Sequence, residues 1–369
     1  MKALLLAGGR GTRMRPLTHT CNKHSIPIAN KPLIQYPFEM LVKAGINDIA
    51  IIVNETREEI EKIFGNGSKW DVNVTYIFQD HPGGLAHALA LSEEFMAGSK
   101  FIMVLGDNIL ERGLEKYVEK FDNSSLNGLI LGVKVPIEKH ERFGMATIKK
   151  KTNDLIRYVE KPGVVDKSDL YDPKNSYAVP GFYFFDKNIF QCFKGKDKIK
   201  PSARGELEIA SPYNWLIEHG YKVKLEIVKG WYKDPGNPED TLVTNQIIMD
   251  SFIEFDVKGE VDAESKLSGK VKIEKGATIT NSILRGPLVI GKDCVIKDSY
   301  IGPYTAIYDN SKIINCEIEN SIIWGNVYMH DVKTRIDSSL IGWDAEIREK
   351  EEMPRASKLF IGDNSLVEL

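Results

Sequence analysis

The C-terminal third of the chain has apolar residues at a spacing of about six, and this repeat restricts the possible folds more than any other feature. Aliphatic residues recur from Ile273 to Ile318 in steps of six and five residues. The pattern returns every 17 residues, so Leu284, Ile301 and Ile318 occupy the same position in successive coils. The same holds for Ile279, Ile296 and Ile313. Such a repeat is typical of a hexapeptide left-handed β-helix. An irregular Ile-rich β-sandwich is the alternative, but the constant register disfavours it.

The first two thirds of the chain have a different pattern, in which short apolar runs alternate with helical periodicity. The predicted strands are Ala3–Ala7, Ile49–Val53, Val74–Phe78 and Phe101–Leu105, and the predicted helices are Leu33–Ala44, Arg57–Phe64 and Gly84–Phe95. This alternation predicts βαβ units and a doubly wound, mixed but mainly parallel sheet in an α/β domain. We therefore expect a first domain over residues 1–240, a linker over 241–264 with a helix at Leu242–Phe255, and a β-helix domain over 265–369.

Composition excludes several classes of function. The 369 residues include 49 Lys and Arg and 52 Asp and Glu, a net charge of −3, whereas a general nucleic-acid binder has a strong basic excess. No apolar run approaches the length of a membrane span, and the run Ala3–Ala7 is too short for a signal-peptide core. The four cysteines are far apart in sequence, which suggests neither a disulfide framework nor a zinc cluster. We expect a soluble, cytoplasmic protein with neither nucleic acid nor membrane as partner.

The segment after the first predicted strand suggests a phosphate site. Residues 6–18 read LAGGRGTRMRPLT, in which three glycines let the backbone turn and present N–H groups to an anion. The arginines that follow supply positive charge for a polyphosphate. The segment is neither a P-loop nor a dinucleotide fingerprint, since the latter needs a glycine where Met14 stands. A glycine turn with solvated arginines is the alternative.

With Lys23 and the sequence Lys31-Pro32-Leu33-Ile34 added, the segment resembles the sugar nucleotidylyltransferases. Within them it is similar to the long-type glucose-1-phosphate thymidylyltransferases, which have a Rossmann-like catalytic domain and a β-helix tail. The resemblance extends over the first 240 residues. It implies an enzyme that joins a nucleoside triphosphate to a sugar 1-phosphate and releases pyrophosphate, with Mg²⁺ as cofactor. Pro180 and Pro235 depart from the family pattern, and each removes a backbone donor.

The resemblance also implies a set of nucleotide-binding residues: Leu6, Gly8, Gly9, Gly11, Thr12, Arg13, Gln79, Gly84 and Asp107. The amide of Gln79 offers both a donor and an acceptor, which suits the imide edge of a pyrimidine. Gly84 would let a flat group approach the backbone. An ordinary strand-to-helix turn explains the same residues equally well. A glutamine and a glycine would accept uracil and thymine alike, so the choice between dTTP and UTP stays open.

Two aspartates are candidates for the metal. Asp107 follows the strand Phe101–Leu105, and Asp234 lies in a turn with Gly236. Mg²⁺ is usually bound by one or two carboxylates together with substrate phosphates. The resemblance implies that these two aspartates are the metal pair, whereas a single aspartate in a turn is usually only a turn former.

The sugar phosphate side is implied by residues from the middle of the chain: Asn108, Gly144, Glu160, Lys161, Val179 and Arg204. Glu160 could accept hydrogen bonds from sugar hydroxyls, and Lys161 could neutralise the sugar phosphate. A solvated surface pair is the simpler interpretation of Glu160 and Lys161 without the family. Arg204 would be a further phosphate contact.

We expect direct in-line attack of the sugar phosphate on the nucleotide, with Arg13, Lys23 and Lys161 as catalytic residues. The alternatives are a UTP-dependent uridylyltransferase and a non-catalytic regulatory subunit of the same fold. An acyltransferase function of the β-helix is disfavoured, because His330 is the only histidine beyond His219. We also expect a homo-oligomer of unspecified stoichiometry.

Overall fold

The computed structural model describes residues 1–9, 11–162, 172–349 and 362–368. The chain forms two compact units, which are Met1–Gly9 with Ile34–Asp234, and Arg10–Leu33 with Pro235–Leu369. The second unit therefore includes an N-terminal segment that the sequence pattern assigned to the first domain. Within the described ranges, no helix is long and apolar enough to cross a bilayer.

The first unit is built on a seven-stranded sheet. Its strands are Lys2–Leu6 (β1), Asp48–Val53 (β2), Asn73–Phe78 (β3), Phe101–Leu105 (β4), Gly128–Gly132 (β5), Phe182–Phe185 (β6) and Val223–Ile227 (β7), in the order β7-β5-β6-β4-β1-β2-β3. The strands β4, β1, β2 and β3 are parallel to one another, and β6 is antiparallel to both of its neighbours. The predicted mixed, mainly parallel sheet is confirmed.

Strand β1 shows why the apolar runs are continuous. Ala3 and Leu5 lie in one buried cluster, whereas Leu4 and Leu6 lie in another. Because successive side chains of a strand point to opposite faces, the two clusters cover the two faces of the sheet. A strand covered on both sides needs apolar residues at every position.

Helices of the first unit are Gln35–Lys43, Arg57–Phe64, Leu85–Leu91, Glu93–Met96, Glu115–Asp122 and Ala210–Glu218. The single helix predicted over Gly84–Phe95 was wrong, since the structure has two helices separated at Ser92. The Ser92 hydroxyl donates to the carbonyl of Leu89 at 2.7 Å. This local bond competes with the continuation of the helix, which the apolar periodicity alone did not indicate.

Smaller elements complete the first unit. An antiparallel sheet consists of Met145–Ile148, Leu155–Val159 and Ser176–Ala178, and a two-stranded ribbon pairs Ile109–Leu110 with Tyr232–Lys233. The 3₁₀ turns are Ser68–Trp70, Ile137–Arg142, Pro173–Asn175 and Lys187–Phe193.

The second unit contains a left-handed β-helix with three parallel sheets in its described part. The first sheet is Asp256–Val257, Val271–Ile273, Leu288–Ile290, Ala306–Ile307, Ile322–Ile323 and Leu340–Ile341. The second is Glu260–Val261, Thr278–Thr280, Val295–Lys297, Lys312–Ile314, Tyr328–His330 and Glu346–Arg348. The third is Lys266–Ser268, Ile283–Arg285, Tyr300–Ile301, Glu317–Glu319 and Ile336–Asp337. The first strands precede residue 265, where the sequence pattern begins.

The register of the β-helix confirms the predicted stacking. Ile279 pairs with Ile296 and Ile296 with Ile313, so these coils are 17 residues long. Leu284 and Ile301 form the equivalent column with Ile318. All of these side chains are buried, which makes the interior a stack of aliphatic residues.

A helix, a short hairpin and several 3₁₀ turns complete the second unit. The helix Pro238–Phe252 begins four residues earlier than predicted, because the side chain of Asn237 accepts a hydrogen bond from the N–H of Asp240 at 2.7 Å. It ends before the predicted Phe255. The hairpin Pro27–Ile28 with Lys31–Pro32 and the 3₁₀ turns Thr12–Met14, Leu17–His19 and Lys23–Ser25 belong to the same unit.

Candidate active site

Four polar or glycine positions follow the carboxyl ends of the parallel strands. Gly8 follows β1, Asn54 follows β2, Gln79 follows β3 and Asp107 follows β4. Because these strands are parallel, their carboxyl ends lie along one edge of the sheet, where α/β proteins bind ligands. The predicted site residues of the first unit are therefore expected along this edge.

Gly8, Gln79 and Gly84 lie together on this edge. A Cβ added to Gly8 would lie 3.1 Å from Oε1 of Gln79. Nε2 of Gln79 donates to the carbonyl of Gly84 at 3.4 Å, and Nδ2 of Asn54 donates to the carbonyl of Gly8 at 3.1 Å. Sequence reasoning missed Asn54, although its position directly after a parallel strand was the same signal that singled out Gln79.

The local packing of the chain also requires a glycine at position 84. Its φ is +96°, and a Cβ there would lie 2.5 Å from the carbonyl oxygen of Leu207. The N–H of Leu207 donates to the carbonyl of Gly83, and its own carbonyl accepts from the N–H of Ala86. The chain itself therefore makes the close approach on the Cβ side, where no side chain would fit.

Leu6 and Gly9 flank Gly8. Leu6 is buried in the core, and its carbonyl accepts a hydrogen bond from the N–H of Gly106 at 2.9 Å. Gly9 is exposed. The bond to Gly106 joins the ends of β1 and β4 beside Asp107.

Asp107 and Asp234 are brought together by the short ribbon. Lys233 pairs with Ile109 in antiparallel register, so Asp107 and Asp234 lie at the same end of the ribbon. Burial raises the pKa of Tyr232, and the negative charges of Asp234 and then Asp107 raise it further. Both carboxylates are therefore close to one phenol. Sequence reasoning missed Tyr232, because nothing in the sequence showed that its strand pairs with the residues after Asp107.

The predicted sugar-side residues Gly144, Glu160 and Val179 also converge. A Cβ on Gly144 would lie 2.5 Å from the hydroxyl oxygen of Tyr158 and 3.0 Å from Oε2 of Glu160. The N–H of Val179 donates to the carbonyl of Gly144 at 2.9 Å. Only a glycine leaves room for the tyrosine and the carboxylate together.

Two side chains here have buried polar atoms without partners among the described residues. They are Oε2 of Glu160 and both Oδ1 and Nδ2 of Asn108, whose side chain is 1% exposed. A buried polar atom left without a hydrogen bond costs about 1–3 kcal/mol. A ligand with several hydroxyl groups would supply the missing donors and acceptors if these side chains turned toward it on binding.

A buried tyrosine connects these residues with the acidic pair. Burial raises the pKa of Tyr183, and the charges of Glu160 and Asp107 raise it further. Tyr183 also shares a hydrogen bond with Tyr158. The phenol of Tyr183 therefore lies within electrostatic range of both carboxylates. Sequence reasoning missed it, since a tyrosine in a strand looks like an ordinary core residue.

The electrostatics around Glu160 are mixed. Burial raises the pKa of Glu160, as does the charge of Glu208, while the charges of Lys161 and Arg204 oppose the shift. Arg204 is paired with Glu208 at 2.7 Å. Lys161 is exposed, with a φ of +47°. Lys161 and Arg204, the two cations that the sequence assigned to the sugar phosphate, are thus near the same carboxylate.

The remaining predicted residues lie in the second unit. Gly11 has a φ of +59°, and a Cβ there would lie 2.9 Å from Cβ of Lys23. Thr12 and Arg13 are in a 3₁₀ turn, and the guanidinium of Arg13 lies 3.5 Å from where a Cβ of Gly236 would be. The glycines at 11 and 236 thus make room for the side chains of Lys23 and Arg13.

The chain is similar to proteins of known class. Residues 2–251 match the nucleotidyl transferase family. The chain is 37% identical over its full length, and over 99% of the relative, to a glucose-1-phosphate thymidylyltransferase of Streptomyces griseus. It is 36% identical over the same shares to one of Streptomyces antibioticus. A crystal structure from Bacillus anthracis, provisionally assigned the same name, is 34% identical with a TM-score of 0.60, and the match covers 70% of this chain and 98% of that one.

The fold, the polar edge of the sheet and the family match define a class. The chain belongs to the nucleotidyl transferase family and is a nucleotidyltransferase. The resemblance to the long-type thymidylyltransferases is confirmed, since the similarity extends through the β-helix.

Proposed function

We propose that the enzyme transfers a nucleotidyl group from dTTP to glucose 1-phosphate, giving dTDP-glucose and pyrophosphate. The observation that carries the proposal is the pair of buried side chains with unpaired polar atoms, Asn108 and Glu160, together with Tyr183, which lies within electrostatic range of both Glu160 and Asp107. This arrangement suits a sugar next to a metal and phosphate site. The names of the full-length relatives support the same substrates.

The acidic pair fits the proposed Mg²⁺. Asp107 and Asp234 lie at one end of the same ribbon and offer only oxygen donors, as Mg²⁺ prefers. They would hold the ion, which when bound supplies positive charge against the phosphate oxygens.

The reaction needs positioning and charge rather than a covalent intermediate. A phosphate oxygen of the sugar 1-phosphate attacks the α-phosphorus of the triphosphate, and the bond from that phosphorus to the leaving pyrophosphate breaks. The attacking oxygen is already anionic at neutral pH, so no general base is required. We assign Arg13 and Lys23 to the charge of the pyrophosphate, with Gly11 and Thr12 offering backbone N–H groups. We assign Lys161 and Arg204 to the sugar phosphate.

Each polar group has a proposed partner on the substrates. Glu160 and Asn108 take the sugar hydroxyls, with Gly144 and Val179 lining the same region. Gln79 hydrogen-bonds the imide edge of the base, between Gly8 and Gly84. Because this edge is common to thymine and uracil, a UTP-dependent uridylyltransferase is the second candidate.

A pyrophosphate-release assay tests the proposal. It crosses dTTP, UTP, GTP and ATP with the 1-phosphates of glucose, N-acetylglucosamine and mannose, at saturating Mg²⁺. We expect the highest kcat/KM for dTTP with glucose 1-phosphate. A preference for UTP would support the second candidate, equal rates with every pair would refute the assigned specificity, and no turnover with any pair would indicate a non-catalytic subunit.

We also propose that the chain assembles as a homo-oligomer. Aliphatic faces of β-helices commonly associate, and Ile283 on the third sheet is 41% exposed. Light scattering coupled to size exclusion should give a mass that is a multiple of 41.6 kDa. A mass of one chain at micromolar concentration would contradict it.

A further inference from the structure

We propose that Asp80, His81 and His87 form a second metal site, selective for a transition-metal dication such as Zn²⁺. Each of these side chains offers one donor atom, and the three donors lie within 4.8 Å of one another. Donors bound to one zinc ion are separated by roughly 3–3.5 Å, given bonds of about 2.1 Å. Asp80 and His81 are exposed and can rotate to close the remaining distance. It is the only such group of three found among the residues that the structure describes.

The geometry favours metal binding over a chance surface cluster. Nδ1 of His81 already lies 2.7 Å from Oδ1 of Asp80, and the rings of His81 and His87 are 4.5 Å apart between centroids. The ring of His87 packs on the backbone of Gly83, where an added Cβ would lie 2.6 Å from Nδ1. The donors come from two elements, the turn after β3 and the helix Leu85–Leu91, so a bound ion would crosslink them.

The donor set determines the kind of metal. Two imidazoles and one carboxylate suit Zn²⁺, Ni²⁺, Co²⁺ and Fe²⁺, whereas Mg²⁺ prefers oxygen donors. Three protein ligands leave further positions open to water. The proposed site is therefore chemically distinct from the acidic pair Asp107 and Asp234.

A hydrogen bond connects this site with Gln79. Nε2 of Gln79 lies 3.1 Å from Nδ1 of His87. An amide nitrogen can only donate, so Nδ1 accepts and the ring proton is on Nε2. If the metal takes Nε2, the ring proton moves to Nδ1, which then needs an acceptor. To accept from that proton, the amide of Gln79 would have to turn over and present its oxygen to His87, giving up the hydrogen bond from its Nε2 to the carbonyl of Gly84.

This reversal would affect the base. Without the metal, Oε1 of Gln79 is the end that faces Gly8. With the metal, the NH₂ group takes that place, and it cannot accept from the N–H of a pyrimidine imide. Zinc should therefore weaken pyrimidine binding. The effect of zinc on pyrimidine binding, unlike the metal site itself, depends on the proposed role of Gln79.

Calorimetric titration of ZnCl₂ into the full chain, without nucleotide or Mg²⁺, tests the site. We expect one ion per chain at micromolar affinity, and about a tenfold or larger loss of affinity in each of Asp80→Asn, His81→Ala and His87→Gln. His330→Ala is the matched control, because His330 forms a similar pair with Asp331 at 2.9 Å, and the described residues offer no third metal donor there. Circular dichroism would verify that each variant is folded.

Two outcomes would overturn the site: no zinc uptake by the wild-type chain, or unchanged affinity in all three variants. Titration with Co²⁺ gives an independent measurement, since visible absorption bands should appear in the wild type and be lost in His87→Gln. The link to Gln79 is tested with thymidine, which has no phosphate to chelate zinc. Zinc should weaken thymidine binding in the wild type and leave it unchanged in the three variants that lose the zinc site. Unchanged thymidine binding with intact zinc binding would refute the link alone, and no thymidine binding at all would count against Gln79 as the base contact.

Discussion

At the residue scale, the polar atoms that have no partner explain most about the proposed sugar region. Glu160 and Asn108 were singled out from sequence, but the pattern could not show that their polar atoms are buried. The tyrosines close to Glu160, which are Tyr158 and Tyr183, carry no sequence signal that separates them from core aromatics. Their role follows from the packing of Gly144 against Tyr158 and Glu160.

Glu160→Gln should stabilise the protein at neutral pH while impairing use of the sugar phosphate. Since the folded-state pKa of Glu160 is raised by burial and by Glu208, the folded state binds the proton more tightly than the unfolded chain. The free energy of unfolding of the wild type therefore falls as pH rises from the unfolded value, about 4.3, through the raised one. In the variant, residue 160 does not titrate, so the free energy of unfolding lacks this pH-dependent fall. Urea unfolding at pH 4 and pH 7 should show a stability gain at pH 7 that is small at pH 4.

The same variant should raise KM for glucose 1-phosphate about tenfold or more, with KM for dTTP changed much less. Glu218→Gln alters an exposed carboxylate, 63% exposed, and serves as the control for both measurements. A stability difference that is independent of pH would contradict the assigned burial effect.

Gly181→Ala tests the position of Asn108. A Cβ at residue 181 would lie 1.9 Å from Nδ2 of Asn108, and the φ of +36° already disfavours a side chain. Gly195→Ala has a φ of +74° but nothing within 4 Å, so it incurs only the backbone strain of about 1–2 kcal/mol. We expect Gly181→Ala to lose more stability than the control in urea unfolding and to raise KM for the sugar phosphate. Equal losses of stability in the two variants would show that the side chain of Asn108 does not lie against residue 181.

At the element scale, the most regular parts of the chain were the most predictable. The stacking of Ile279, Ile296 and Ile313 follows from the repeat alone, because each coil must bury one aliphatic residue per face. The break at Ser92 could not be predicted, since it depends on one side-chain hydrogen bond that apolar periodicity does not report. The pairing of the ribbon that joins Asp107 to Asp234 involves strands more than a hundred residues apart, and no local pattern indicates it.

Asn245 of the helix Pro238–Phe252 holds two other elements of the second unit. Its Oδ1 accepts from the N–H of Ala29 at 2.9 Å, and its Nδ2 donates to the carbonyl of Tyr304 at 2.8 Å. The side chain is fully buried. Asn245→Leu leaves both backbone groups unpaired, so we expect a loss of about 1–3 kcal/mol in the free energy of unfolding.

The neighbouring Gln246 offers a control. Within the described residues its side chain makes one hydrogen bond, from Nε2 to Oδ1 of Asn320 at 2.7 Å, and it is partly exposed. Urea denaturation measures the free energy of unfolding of both variants. We expect Gln246→Leu to lower it by no more than about 1 kcal/mol. Equal costs for the two variants would show that Asn245 does not hold the hairpin and the β-helix in place.

At the scale of the whole molecule, the sequence predicted both kinds of fold but not the division of the chain. The segment Arg10–Leu33 belongs to the same unit as the β-helix. Its hairpin is hydrogen-bonded there through Ala29 and also through Asn30, whose Nδ2 donates to the carbonyl of Ile307 at 2.6 Å. A sequence pattern reports periodicity along the chain, whereas this assignment depends on contacts between distant segments.

The central claim is that Asp107 and Asp234 act together as the Mg²⁺ ligands of the transfer reaction. The most direct measurement is the Mg²⁺ dependence of pyrophosphate release from dTTP and glucose 1-phosphate in the wild type, Asp107→Asn and Asp234→Asn. Asp250→Asn, which changes an exposed aspartate of the helix Pro238–Phe252, is the control. We expect each of the first two variants to lower kcat/KM by about 100-fold or more and to require higher Mg²⁺ for half-maximal activity. Wild-type kinetics and Mg²⁺ dependence in either variant would contradict it.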